Sequence, residues 1–318
     1  MTRNVMLRKP PRGFAGLAVG ADPRDLGSAR VAILGVASSA GSPHDGAENG
    51  PAFLRAASRR YTWGYPDGCL MNAETRRTDF AAVDLGDIVP VGSSAQEVAD
   101  EIGSVVADLD SRSVPCVIGG DHSITAGVIS GLIARGTAPA RVIQFDQHLD
   151  IQLWEPVTSK PLDPLFNTNV ISHVGEQLGR RSVLQVGMDP FIAISASSSA
   201  ELSGRLDVSA GIIPVTSPLL RDEPGLVEAL GSEVPTYVSI DVDVIQQAQM
   251  GSTGYPAHIG MDTADLIRVL DVVLRNNPIV GLDIVEFSAA REAREPAVLA
   301  DAMRAADLLM GAISRLTS

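Results

Sequence analysis

The stretch Val142-Ile143-Gln144-Phe145-Asp146-Gln147-His148-Leu149-Asp150 decides the fold of this chain. A short, nearly continuous apolar run ends in three chelating side chains spaced two residues apart. Such a run suits a strand covered on both faces, as in a parallel sheet held between helices. The same arrangement recurs at Val31-Ala32-Ile33-Leu34-Gly35-Val36, at Val114 to Gly120, at Ser182 to Gly187, at Tyr237 to Asp241 and at Ile279 to Ile284. Between these runs lie helical periodicities. Val98, Ile102, Val105, Val106 and Leu109 share one face of residues 95–109, and Leu266, Val269, Leu270 and Val273 share one face of residues 263–274. Residues 296–316 read as a closing helix. Strands alternating with helices predict an α/β fold with a mostly parallel, doubly wound sheet, in one domain over residues 29–318.

Composition narrows the function. The chain has 318 residues, 45% hydrophobic and 20% charged, with a formal net charge of −13. The apolar content excludes global disorder. The acidic balance argues against nucleic acid and anionic membranes, both of which need a basic face. Cys69 and Cys116 are the only cysteines. With two so far apart, a disulfide framework is not expected, and a reducing, cytoplasmic setting fits. No apolar run approaches the ~20 residues of a membrane span. Residues 13–19 loosely imitate a signal peptide behind Arg3, Arg8 and Lys9, but Pro10, Pro11 and two glycines interrupt the pattern. Residues 1–28 therefore read as a loose N-terminal tail.

The chemistry lies at the strand ends. In an open parallel sheet, ligands sit beyond the carboxyl ends of the strands. Three runs deliver chelating groups there: Gly119-Gly120-Asp121-His122-Ser123, Asp146-Gln147-His148-Leu149-Asp150, and Asp241-Val242-Asp243. Residues two apart on an extended segment point the same way, so Asp146, His148 and Asp150 can converge, as can Asp241 and Asp243. A lone Asp-x-Asp is commonly a strand end, and a lone Gly-Gly-Asp-His-Ser can be a turn with a helix cap. All three together at predicted strand ends point to metal. Four clustered carboxylates repel one another without cations, and two divalent ions balance them. Oxygen-rich ligation with one imidazole per metal suits Mn²⁺, with Ni²⁺, Co²⁺, Fe²⁺ or Zn²⁺ as other occupants.

These blocks resemble those of the ureohydrolase superfamily of arginases, agmatinases and related amidinohydrolases, whose members carry GGDHS, DAHxD and SxDxDxxDP in this order. Gly46-Ala47, Gly50-Pro51 and Arg55 resemble its N-terminal GARFGPxxIR segment. Asp84-Leu85-Gly86-Asp87 resembles its DxGD element, and Leu282-Asp283-Ile284-Val285-Glu286 its LDIVE strand. The resemblance implies a three-layer α/β/α sandwich, a homotrimer or homohexamer, and two metal ions per chain, most often Mn²⁺. It implies that Asp146 and Asp241 bridge the metals, with His122 and Asp150 completing one shell and His148 and Asp243 the other. The implied reaction is hydrolysis of a small guanidino compound to urea and an amine through a metal-bridging hydroxide. Asp150 stands near enough in sequence to pass a proton to the leaving amine. Glu286 can accept a charge-assisted hydrogen bond from the guanidinium. Ser172-His173-Val174-Gly175 resembles the SHG segment of agmatinases, which gives His173 a role in substrate binding or proton relay.

Several positions depart from that pattern. Gln147 replaces the alanine of DAHxD, Gln246-Gln247 stand for Asp-Pro, Asp189 for a common arginine, and Ser252-Thr253-Gly254-Tyr255-Pro256 for the GTGTP-like loop. None is a metal ligand by correspondence, so they bear on substrate and subunit packing. Residues 151–172 carry Trp154, Phe166 and Asn167 where the family shapes its pocket, and Trp154 or Phe166 can stack on a cation. No arginase signature for an α-amino acid head group is present. An agmatine-like or guanidino-acid substrate is therefore preferred over arginine. Formimidoylglutamate, guanidine or a biguanide are alternative substrates, and a catalytically silent subunit is the alternative outside enzymes. A dinucleotide-binding protein is set aside, because no GxGxxG joins a strand to a helix.

Overall fold

Alternate residues of each central strand enter two different cores. Along strand β2 (Val31–Val36), Val31 and Ile33 join one, while Ala32, Leu34 and Val36 join the other. The computed structural model describes residues 7–62, 81–152, 162–179, 181–198 and 209–318. The remaining strands are β1 (Leu7–Arg8), β3 (Ala82–Ile88), β4 (Val114–Ile118), β5 (Arg141–Phe145), β6 (Val183–Met188), β7 (Ser209–Pro214), β8 (Thr236–Asp241) and β9 (Ile279–Val285). The described helices are α1 (Gly50–Ser58), α2 (Ala95–Ala107), α3 (Ile124–Ala134), α4 (Val170–Leu178), α5 (Pro190–Ser198), α6 (Glu223–Leu230), α7 (Thr263–Arg275) and α8 (Pro296–Thr317). Helices α1, α6, α7 and α8 cover the Val31/Ile33 face, and α2, α3 and α4 cover the other. Three layers result, as expected for strands that are apolar on both sides. Among the described residues, no helix is long and apolar enough to cross a membrane.

The sheet order is β1-β3-β2-β4-β9-β8-β5-β6-β7, parallel throughout except for the antiparallel β1–β3 pair. The chain builds outward through β5, β6 and β7, then returns to lay β8 and β9 between β5 and β4. Four strands whose ends carry the acids and histidines thereby become neighbours, although residues 118 and 286 bound them in sequence.

Two local features differ from the sequence reading. Residues 7–28 are not a loose tail: Leu7 pairs with Ile88, Phe14 and Ala15 are buried, and the Phe14 amide donates to Asp84 Oδ2 at 2.7 Å. The segment covers the outer edge of β3, whose backbone groups need partners. Strand β3 itself was hidden by its acids. Asp84 and Asp87 are buried because Arg55 of α1 meets both, with Nε 2.8 Å and Nη2 3.0 Å from Asp84 and Nη1 on Asp87. The resemblance to GPxxIR and DxGD thus lies in a buried ion pair. Helix α2 opens with a reciprocal cap between Ser94 and Glu97, and α7 with Asp262 accepting from the Ala264 amide, which places their starts as expected.

Candidate metal centre

The turn after β4 sets the first ligand. A side chain at Gly120 would bring a Cβ within 1.8 Å of the Ser38 carbonyl, so only glycine lets this turn press inward. His122 follows, fully buried. Its Nδ1 lies 2.8 Å from Asp150 Oδ2, 3.3 Å from Asp146 Oδ2 and 3.3 Å from Asp241 Oδ2, yet makes no hydrogen bond. Its Nε2 lies 3.0 Å from Ser239 Oγ, and Ser239 donates to Asp283 Oδ1 at 2.7 Å. Because the Ser239 proton is committed to Asp283, the hydroxyl accepts from Nε2–H. The Nδ1 lone pair is left facing three carboxylates, the orientation that a metal-binding histidine needs. Asp283, at zero exposure, is further held by Tyr237 (2.6 Å) and Thr125 (2.7 Å).

The second group forms around Asp146. His148 Nδ1 lies 3.0 Å from Asp243 Oδ2 and 3.5 Å from Asp146 Oδ1. Asp243 Oδ1 is buried without a partner. Gln144 donates to Asp146 Oδ2 at 2.7 Å and is itself held by Gln185 at 2.9 Å, which fixes the shared carboxylate. Two ligand sets emerge, His122, Asp146, Asp150 and Asp241 on one side and Asp146, His148 and Asp243 on the other, each with donor atoms within 4.8 Å. Asp146 belongs to both and Asp241 to the first alone. Orphaned buried donors, oxygen-rich composition and one imidazole per set all fit divalent cations.

Protonation reports the same crowding. Burial and neighbouring carboxylates push Asp241 and Asp243 up, and burial with Asp146 brings Asp150 to about 6. Burial pulls the His148 imidazolium down, but Asp146 and Asp243 outweigh it and push it up to about 12. His122 moves well above its usual value, its three carboxylate neighbours prevailing over burial. Without cations, the cluster takes up protons instead.

The ligands open on a cavity of about 380 Å³ whose lining includes His148, Asp150, Asn167, Ile192, Tyr255 and Glu286. Glu286 Oε1 accepts from the His122 amide (2.8 Å) and from Asn167 Nδ2 (3.2 Å). Burial and the Asp121 charge push its carboxyl up to about 7. Asp150 and Glu286 have φ of 49° and 63°, a conformation that L-residues adopt at a cost and that concentrates at functional sites.

Seven of the nine singled-out residues therefore bear on one place: His122, Asp146, His148, Asp150, Asp241, Asp243 and Glu286. His173 does not reach the cavity lining. Helix α4 turns Val170, Ile171 and Val174 into the core, and His173, between them, meets the Asp163 carbonyl at 3.1 Å. Trp154 lies outside the described residues. Asn167, which the sequence placed in the pocket-shaping segment without a role of its own, meets Glu286; its only signal was a polar side chain after the metal motif. Asp189 proves to be a cap, accepting from the Phe191 and Ile192 amides where α5 starts.

A mostly parallel α/β/α sandwich with two carboxylate–imidazole sets around one aspartate defines a fold with a candidate divalent-metal centre at its strand ends. The model of the arginase family matches residues 29–202 and 219–311, and the chain belongs to that family. It is 24% identical over 267 residues to the N(1)-aminopropylagmatine ureohydrolase of Thermococcus kodakarensis, covering 83% of this chain and 84% of that protein. It is 27% identical over 260 residues to the formimidoylglutamase of Halalkalibacterium halodurans, covering 79% and 77%. Its fold is similar to that of proclavaminate amidino hydrolase from Streptomyces clavuligerus, with a TM-score of 0.72 at 20% identity over 97% and 98% of the two chains.

Proposed function

We propose that this protein is a binuclear metal-dependent amidinohydrolase that cleaves a C–N bond of a small guanidino compound, releasing urea and an amine. The observation that carries the reading is Asp146, common to two ligand sets that face Glu286 across one cavity. His122, Asp146, Asp150 and Asp241 would hold one ion, and Asp146, His148 and Asp243 the other. When bound, such a pair supplies an activated water near neutral pH and polarises the substrate.

The chain's own groups do the rest. Glu286, with Oε1 held by Asn167 and the His122 amide, presents its remaining oxygen to the guanidinium and orients it by a charge-assisted contact. Asp150 lines the same cavity beside the ligand sets, a position that suits it to pass a proton to the leaving amine. The donor set favours Mn²⁺, with Ni²⁺ the second choice. A cytoplasmic homotrimer or homohexamer completes the proposal.

The test is elemental analysis of protein purified without chelators, followed by a screen of guanidino compounds with the Mn²⁺- and Ni²⁺-loaded protein. Close to two metals per chain and urea release support the reading. Formamide from formimidoylglutamate, or guanylurea from a biguanide, reassigns the substrate. Two bound metals with no hydrolysis of any amidine refute it.

A further inference from the structure

We infer that Tyr255, held in place by Gln147, sets the substrate class as a monosubstituted guanidine with an uncharged alkyl substituent. The inference rests on the amidinohydrolase reading. Its starting point is that two departures from the family pattern, 108 residues apart, are in contact. Gln147 Nε2 donates to the Tyr255 carbonyl at 2.5 Å. An alanine at position 147 has no amide to make this bond.

The loop that carries Tyr255 is tied at its other end as well. Asp301 of α8 accepts from the Gly251 amide (3.0 Å), the Ser252 amide (3.0 Å) and Ser252 Oγ (2.8 Å). The Tyr255 ring is then set edge-on to two imidazoles, His44 at 5.0 Å and His148 at 5.9 Å between centroids. Tyr255 is 41% exposed and is among the residues that line the cavity. A backbone fixed at both ends and a ring steadied by two neighbours make a preformed wall, so ordering it costs a ligand little.

Leu149, Ile151 and Ile192 complete that wall. With two divalent ions balancing the four aspartates, Glu286 is the one carboxylate among the described lining residues left to meet a guanidinium. A substituent extending from it runs along aliphatic and aromatic carbon. Each methylene buried there favours binding by roughly fourfold. A terminal carboxylate would lose hydration against that apolar wall, in a chain of net charge −13. A terminal ammonium would lose hydration against the same apolar wall.

The experiment compares 1-butylguanidine, agmatine and 4-guanidinobutyrate, which are similar in length and differ in the terminal group. Calorimetric binding to the Mn²⁺-loaded protein is measured beside urea release. The expected result is tightest binding and highest kcat/KM for 1-butylguanidine, with 4-guanidinobutyrate at least tenfold weaker. Tyr255→Thr should weaken 1-butylguanidine about tenfold while retaining the metals, Tyr255→Phe should preserve it, and Gln147→Ala should shift it in the direction of Tyr255→Thr. Equal or better binding of either charged compound, no measurable binding of 1-butylguanidine, or unchanged ratios in Tyr255→Thr overturn the inference. If a variant does not fold, the panel on the unaltered protein decides alone. Preferential, Tyr255-dependent binding with no hydrolysis of any amidine would refute the amidinohydrolase reading, and with it the substrate class, and leave Tyr255 only as the wall of a binding site. Urea released chiefly from 4-guanidinobutyrate would uphold that reading and overturn this inference.

Discussion

Replacing Ser239 with alanine should weaken one metal position and spare the other. Ser239 accepts from His122 Nε2–H and donates to Asp283, so it fixes which nitrogen of His122 faces Asp146, Asp150 and Asp241. A buried hydrogen bond to a group that carries charge contributes about 1.5–3 kcal/mol. Loss of a histidine's outer partner typically costs roughly 10–100-fold in metal affinity, which agrees with that range. The His148–Asp243 side of the centre has no hydrogen bond to Ser239 or Asp283 among the described residues and should keep its affinity. A second effect falls on folding. Asp283 Oδ1 loses its donor while Tyr237 and Thr125 remain on Oδ2, so stability should drop by about 1–3 kcal/mol. Calorimetric titration of chelator-stripped S239A with Mn²⁺ should resolve one tight and one weakened phase, with elemental analysis at limiting metal giving one ion per chain. Two phases as tight as in the unaltered protein, or equal weakening of both, would refute the idea that Ser239 acts through His122.

Other outcomes follow from the same geometry. Glu286→Gln should retain both metals and lower kcat/KM by roughly 10–150-fold, the effect of about 1.5–3 kcal/mol of lost charge-assisted contact; steady-state kinetics checks it. Arg55→Ala should destabilise the fold by about 3–5 kcal/mol, read by chemical denaturation, because it leaves Asp84 buried without a counter-charge and Asp87 with only the exposed Arg8. Chelation should lower Tm, with about 2.7 kcal/mol of stability lost for each site at which free metal had stood at 100 times Kd. That gap should widen from pH 5 to pH 9. The metal-free fold holds His148 near 12 and Asp150 near 6, above their unfolded values, so it binds more protons than the unfolded chain and loses stability as pH rises. Metal binding, which displaces those protons, strengthens over the same range. Thermal melts at several pH values with and without chelator measure both.

Local signals carried much of this protein. Continuous apolar runs locate β2, β4, β5, β6, β8 and β9, because a strand covered on both faces has little polar surface to break its pattern. Helices α2 and α7 show an apolar stripe and a capping residue. Helix α3 has neither, since Ile124 to Leu132 are buried nearly all round and leave no polar face to set a period. Strand β3 lacks such a run because Asp84 and Asp87 interrupt it, and they are buried only because Arg55, 29 residues from Asp84, neutralises them.

The six proposed ligands and Glu286 were legible because chelating residues two apart at a strand end are a local pattern with a chemical meaning. The spacing and the resemblance also pointed to their convergence, but not to the strand order that produces it. It depends on β8 and β9 returning to lie between β4 and β5, a choice made by packing two helical layers onto one sheet. Tertiary structure likewise turned His173 to a loop carbonyl, brought Asn167 onto Glu286 and set Gln147 against Tyr255. Sequence by itself determined which residues can bind metal and which segments form strands, because both follow from side-chain chemistry over a few residues. Only the tertiary structure decided which side chains share the cavity, because contacts between residues a hundred positions apart are set by how the layers pack.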